Sequence, residues 1–212
     1  MTLAYDTAST ALPAIVEVME RLGVKMTYAK DEEIFAQDED ADLVHLVVSG
    51  AARTLRFSAD GRRQVGAFYF PGDLIGLELG GVHRYTAEAL CETTVLVVRR
   101  SALKTFAGDA QLDRAIWEAT HRELERAQEH LMVLGRKTAR EKVAGFLMER
   151  ACPQGSAASL PMSRQDMADY LGLTIETVSR TLTQLQGESV VAFDSARSYR
   201  VTRWQALERM AA

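Results

Sequence analysis

The sequence predicts an α+β chain: a glycine-punctuated β-roll of jelly-roll type, one long helix, and a winged helix-turn-helix at the C-terminal end. Three observations predict it. Short β-prone runs with turn residues between them occupy residues 33–99. An apolar heptad pattern runs from Trp117 to Leu134. Two short helical patterns flank Gly172 within Leu160–Leu185. With 212 residues, 47% of them hydrophobic, the chain can bury two cores.

Taken in order, an apolar helical opening near Leu12–Leu22 precedes the strands. The expected strands are Glu33–Ala36, Leu43–Val48, Ala51–Ser58, Gln64–Phe70, Thr86–Leu90 and Thr93–Arg99. Asp60-Gly61 is a hairpin turn signal, and Gly50, Gly66, Gly72 and Gly76 punctuate the rest. Many short strands with frequent turns suit a small sandwich or jelly roll. The acidic run Asp38–Asp42 reads as a solvated turn.

Trp117, Thr120, Leu124, Ala127, Leu131 and Leu134 are spaced three, four, three, four, three, the a/d seam of a two-stranded helix pair. The seam carries no charge, so a homodimer through these six side chains is expected, with Ile116 and Ala119 beside it facing the β-roll. Gly135-Arg136-Lys137-Thr138 reads as a hinge. Thr138–Arg150 reads as a helix with Val143, Phe146 and Leu147 inward, and Cys152–Ser159 as a loop. The domains expected are therefore 1–108, the β-roll; 109–136, the dimer helix; and 137–212, the winged helix-turn-helix.

In the last of these, Ser163 is an N-cap with Asp166 three residues on, a capping-box spacing. Met167, Ala168 and Leu171 form the apolar face, and Gly172 ends the helix because glycine enters the left-handed region cheaply. Thr174 caps a second helix reaching about Gln186, with Val178, Leu182 and Leu185 inward. Val190–Asp194 and Tyr199–Thr202, around Ser195–Ser198, form the wing.

Glu176, Ser179, Arg180 and Thr183 share the outer face of the second helix. An arginine can donate two bonds to guanine O6 and N7, a glutamate can accept from a cytosine amino group, and a serine can bond a base edge or a phosphate. That is chemistry for reading double-stranded DNA. A net charge of −4 looks wrong for such a partner until it is divided. Residues 137–212 carry +2 and the remainder −6, a mildly basic module on an acidic body. Arg164, Arg197, Arg200 and Arg203 are candidate phosphate contacts.

Asp169-Tyr170-Leu171-Gly172-Leu173-Thr174, followed by Glu176-Thr177-Val178-Ser179-Arg180, resembles the recognition motif of the CRP/FNR superfamily. The E-x-x-S-R form is that of its FNR branch, with wording like the FixK-type regulators of alphaproteobacteria. The resemblance implies that Glu176, Ser179 and Arg180 read the bases of a palindrome with TTGA-type half-sites. Ser163, Arg164, Thr174, Ile175, Thr177, Arg197 and Arg200 would be backbone or auxiliary contacts. Ile175 stands where the cAMP-receptor branch carries a further arginine, and isoleucine cannot make that bidentate contact. Phe70-Pro71-Gly72-Asp73-Leu74-Ile75-Gly76 resembles the core of the family's cyclic-nucleotide-binding-like β-roll, so the likeness covers nearly the whole chain.

The resemblance raises the matter of effectors. The nucleotide-binding branch holds the ribose with a glutamate and the phosphate with an arginine. The best register here puts Leu77 and Tyr85 at those places, although a slip of one residue restores Arg84. A buried phosphate without its arginine is an unpaired charge, so cyclic-nucleotide binding is not expected. An iron–sulfur cluster needs four cysteines, and the chain has two, Cys91 and Cys152. His45, His83, His121 and His130 show no ligand spacing, with His83 the one worth testing as a haem ligand. No cofactor and no metal are expected.

The expected function is a homodimeric, cytoplasmic transcription activator, free of effector, contacting RNA polymerase through the Ser58–Arg63 hairpin; low-oxygen respiration or nitrogen fixation is the setting the resemblance implies. Neither a basic-then-apolar leader nor a run of about eighteen apolar residues is present, so no membrane segment is expected. The alternative is a sensor gated by an unidentified small molecule. A β-roll enzyme fused to a DNA anchor is disfavoured by the missing metal-ligand histidines, and no nucleophile elbow, zincin motif or phosphate-binding loop occurs.

Overall fold

The structure is a computed structural model that describes residues 13–78, 81–106, 110–151 and 157–212. The chain divides into two compact units inside its long helix, the first ending at Ala127 and the second beginning at Gln128. The expected domain boundary between 108 and 109 lies outside the described residues, as does Cys152.

The first unit opens with helix α1 (Pro13–Leu22) and continues through strands β1 (Val24–Tyr28), β2 (Glu33–Phe35), β3 (Leu43–Ser49), β4 (Ala52–Phe57), β5 (Arg63–Tyr69), β6 (Leu74–Ile75), β7 (Thr86–Ala89) and β8 (Thr93–Arg99). Helix α2 (Arg100–Phe106) and the long helix α3 (Ala110–Arg136) follow. The strands form two antiparallel sheets, ordered β1-β8-β3-β6 and β2-β7-β4-β5. All six expected strands are present, to within one residue at each end. The hairpin turn closes at Asp60-Gly61, where Gly61 has φ +80° and its amide donates to the Ser58 carbonyl at 2.8 Å.

Strand alternation explains the layers. On β3 and β8, Val47, Val95 and Val97 point between the sheets and meet Phe35, Ala52, Tyr69 and Ala87. Val44, Leu46 and Val98 point to the other face and pack with Met19 of α1, Leu103 of α2 and Ile116 of α3. These strands are therefore covered on both sides, and each fully buried side chain of this size contributes about 1.5–3 kcal/mol. The first part of α3 is tied to the roll by polar contacts as well. Tyr69 Oη donates to Glu123 at 3.0 Å, and Arg126 donates to Asp73 at 3.1 Å.

The second unit takes the end of α3, then α4 (Ala139–Arg150), β9 (Ala158–Ser159), α5 (Arg164–Leu171), α6 (Ile175–Gly187), β10 (Val191–Ser195), β11 (Ser198–Val201) and α7 (Trp204–Ala211). Its sheet is ordered β10-β11-β9, all antiparallel. Two sequence expectations need correction. The end of the expected 152–159 loop is a strand, because Ala158 and Ser159 pair with Tyr199 and Ser198 along the free edge of β11. The expected hinge is shorter than four residues, since α3 continues through Gly135 and Arg136 and leaves Lys137 and Thr138 between helices. Thr138 caps α4 through a capping box with Glu141, and Val143, Phe146 and Leu147 are buried as expected. Among the described residues, no helix is long and apolar enough to cross a membrane.

Candidate nucleic-acid interface

The geometry of the site begins with its caps. Ser163 precedes α5 and exchanges bonds with Asp166: the Ser163 amide donates to the carboxylate at 2.8 Å, and the Asp166 amide donates to Ser163 Oγ at 3.1 Å. Gly172 follows the helix at φ +61° and ψ +43°, the left-handed conformation that costs other L-residues about 1–2 kcal/mol. The next amide, of Leu173, reaches back to the Ala168 carbonyl at 3.0 Å. Thr174 then caps α6, its hydroxyl accepting from the Thr177 amide at 3.3 Å and lying 3.1 Å from the Thr177 hydroxyl.

The turn is thus fixed at both ends before any packing is considered. Packing sets the roll of α6: Val178, Leu182 and Leu185 are buried, joined by Thr181, while Met167, Ala168 and Leu171 bury the facing side of α5. On a helix of 3.6 residues per turn, this leaves Glu176, Arg180 and Thr183 exposed and Ser179 half-buried at the margin.

Electrostatics suit the roles these side chains were expected to have. A backbone hydrogen bond at Glu176 and one from the Thr174 hydroxyl hold its carboxyl below the usual range, with Arg180 adding to the effect. It is therefore an ionised acceptor at neutral pH. Both Glu176 and Arg180 are exposed to solvent. Ile175, 37% exposed, sits in the first turn beside them.

The remaining sequence candidates are spread around this helix. Arg164 is exposed in the first turn of α5. Arg197 is exposed at the tip of the β10–β11 wing, where its carbonyl accepts from the Leu160 amide at 2.8 Å. Arg200 is engaged with Asp194 across the same hairpin at 2.8 and 3.1 Å. Arg203 donates to the Glu188 carbonyl at 3.4 Å just before α7. The wing is anchored from within, because the buried Tyr199 hydroxyl donates to the Leu147 carbonyl of α4.

Along α3, Trp117, Thr120, Leu124, Ala127 and Leu131 are exposed in the single chain, the three large ones by 66%, 54% and 68%. Leu134 is half-buried instead and lies toward Gly172, where a Cβ would come within 3.3 Å of its Cδ2.

Two residues at this site were not singled out from the sequence. Lys142 is 8% exposed, and its ammonium donates to the Leu171 carbonyl at 3.1 Å. Its signal was present: it lies four residues before Phe146 on the inward stripe of α4, where a lysine needs a reason. His130 stacks on Tyr170 with ring centroids 3.9 Å apart and planes 15° apart. Among the described residues, no group of three or more potential ligands could hold a metal ion.

Comparison with known proteins agrees with this architecture. Residues 141–210 match the Crp-like helix-turn-helix domain family, and residues 25–109 match the cyclic nucleotide-binding domain family. The nitrogen fixation regulation protein FixK of Azorhizobium caulinodans is 44% identical over 209 residues, covering 95% of this chain and 84% of that protein. FixK of Rhizobium meliloti is 39% identical, covering 96% of this chain and 98% of that one. The solved structure of FixK2 from Bradyrhizobium japonicum superposes with a TM-score of 0.86 at 47% identity, covering 90% and 98%. With both modules matched and relatives this similar along nearly their whole length, the chain belongs to the CRP/FNR family of transcription regulators, among its FixK-type members.

Proposed function

We propose that this chain is a cytoplasmic, homodimeric transcription activator that reads a TTGA-type palindrome and recruits RNA polymerase without a cyclic nucleotide or iron–sulfur cluster. The observation that carries the reading is the outer face of α6. Glu176, Ser179 and Arg180 are presented together by a helix whose N-cap, turn glycine and buried face all fix its orientation. The relatives named as nitrogen fixation regulation proteins supply the setting, control of genes for nitrogen fixation.

In this reading, Arg180 pairs with guanine, Glu176 accepts from cytosine, and Ser179 bonds a neighbouring base edge or phosphate. Ser163, Arg164, Thr174, Ile175, Thr177, Arg197 and Arg200 set the register on the backbone. The exposed Trp117, Leu124 and Leu131, with Thr120, Ala127 and Leu134, pair two α3 helices, and the two-fold axis supplies both half-sites. The Ser58–Arg63 hairpin is the surface offered to RNA polymerase. It is solvent-facing and rigidified by Arg62 donating to Asp60 at 2.7 Å.

A second reading, gating by a small molecule, is favoured by one observation in the β-roll. His45 Nδ1 is buried without a hydrogen-bond partner, and the buried Glu78 Oε2 and His83 Nδ1 face each other at 3.5 Å without a hydrogen bond. Footprinting on a TTGA-palindrome promoter with purified protein alone, followed by transcription in vitro, separates the two. The leading reading expects protection and stimulated transcription with no addition. Protection that requires an added cell extract of small molecules would favour the second.

A further inference from the structure

The direction in which α6 points is set by the short turn at Gly172 and Leu173, and three side chains from outside the helix-turn-helix hold that turn. Lys142 of α4 caps the C-terminal end of α5 through the Leu171 carbonyl at 3.1 Å, where the helix dipole favours a cation. His130 of α3 lies nearly flat against Tyr170 of α5 at 3.9 Å, and Tyr170 meets Phe146 of α4 edge-on at 5.8 Å. Leu134, one turn beyond His130, lies toward the turn glycine itself. His130 stands one position before Leu131 and is not part of the heptad seam.

We propose that His130 and Lys142 are positioning residues for DNA reading, seating the α5–α6 turn on the C-terminal turns of α3 so that α6 keeps a fixed direction relative to those turns. This rests on the reading of α6 as the DNA-reading helix. The seat depends on a neutral imidazole. His130 Nε2 is buried without a partner, so a proton placed there has no acceptor. Lys142 on α4 is the charge that acts on the ring, and Tyr170 is the titratable group facing it from α5. Burial first, and then Lys142, hold the His130 pKa below 6.5, with a hydrogen bond to the Tyr170 backbone opposing. A base whose pKa is lower when seated than when released loses its seat as protons are added. The seat is therefore whole above about pH 6.5 and weakens as pH falls below it.

Full-length protein and its His130→Phe, His130→Ala and Lys142→Met variants test this against palindromic and scrambled DNA at about pH 7.5 and about pH 5.5. Phenylalanine keeps the stack and removes the titrating nitrogen, whereas alanine removes both. His130→Ala and Lys142→Met should each weaken palindrome binding at the higher pH by about tenfold, equivalent to 1.4 kcal/mol. The unsubstituted protein should lose more affinity on acidification than His130→Phe does. Without DNA, the Leu173 amide, bonded to Ala168 at 3.0 Å, should exchange faster with solvent deuterium in His130→Ala. Unchanged affinity and unchanged Leu173 exchange in His130→Ala would overturn the seat. So would an acid loss of equal size in His130→Phe. If the unsubstituted protein cannot tell palindrome from scrambled DNA, the reading of α6 fails, while the exchange measurement still decides the seat.

Discussion

Replacing His45 by glutamine should flatten the acid limb of the β-roll's stability. His45 is 1% exposed on β3, its ring 5.3 Å from Phe35, on which His83 stacks at 3.6 Å. Burial first, then repulsion from His83, lower its pKa from 6.5 to about 4, with a hydrogen bond to the Ile75 backbone opposing. The unfolded chain therefore takes up this proton before the folded one. Stability from this group is whole above about pH 6.5 and is lost as pH falls toward about 4. At 1.36 kcal/mol for each pH unit between those values, and allowing for half-protonation at the lower one, the loss is roughly 3 kcal/mol. Scanning calorimetry across this pH range measures it. The transition of the unit ending at Ala127 should fall steeply in the unsubstituted protein and by roughly 3 kcal/mol less in His45→Gln. The transition of the other unit serves as an internal control. Parallel acid limbs in the two proteins would refute the assignment of this proton uptake to His45.

Other expectations concern the helix seam and the turn. Leu124→Glu places a charge on an exposed apolar seam position and should shift sedimentation from dimer toward monomer, with palindrome binding lost in parallel; undisturbed binding would contradict the seam. Gly172→Ala puts a side chain at φ +61° and crowds Leu134 at 3.3 Å. It should lower the stability of the C-terminal unit by about 1–2 kcal/mol in urea unfolding, and no change would mean that the turn relaxes to accept it.

Legibility in the sequence followed the range of the interactions involved. The caps Ser163 and Thr174, the turn glycine and the β4–β5 turn are local devices, so their signals lie within four residues of the features they fix. The strands of the β-roll were readable because both faces of β3 and β8 are buried, which concentrates apolar residues in continuous runs. Strand β1 was missed for the opposite reason: four of its five residues are exposed, and Val24-Lys25-Met26-Thr27-Tyr28 shows no buried stripe. Strand β9 is two residues long and exists through pairing with β11, a partner about forty positions away that no local pattern reveals. Helix α7 was also missed, although Ala206 and Leu207 bury its inner face.

At the candidate site the same division holds. The spacing of Glu176, Ser179 and Arg180 was enough to place them on one face of α6. The engagement of Arg200 with Asp194, six positions away, and the approach of His130 to Tyr170 depend on how the chain returns on itself. Leu134 illustrates both effects, since it matches the heptad in sequence and is half-buried toward Gly172 in the folded chain.

Arg180 carries the sharpest test of base reading by the exposed face of α6. Equilibrium binding of the unsubstituted protein and Arg180→Ala should be compared on a TTGA palindrome and on the same site with its guanine replaced in both halves. The unsubstituted protein should prefer the intact site by about 1–3 kcal/mol per contact, and Arg180→Ala should bind both sites equally. An Arg180→Ala protein that still prefers the guanine would contradict it.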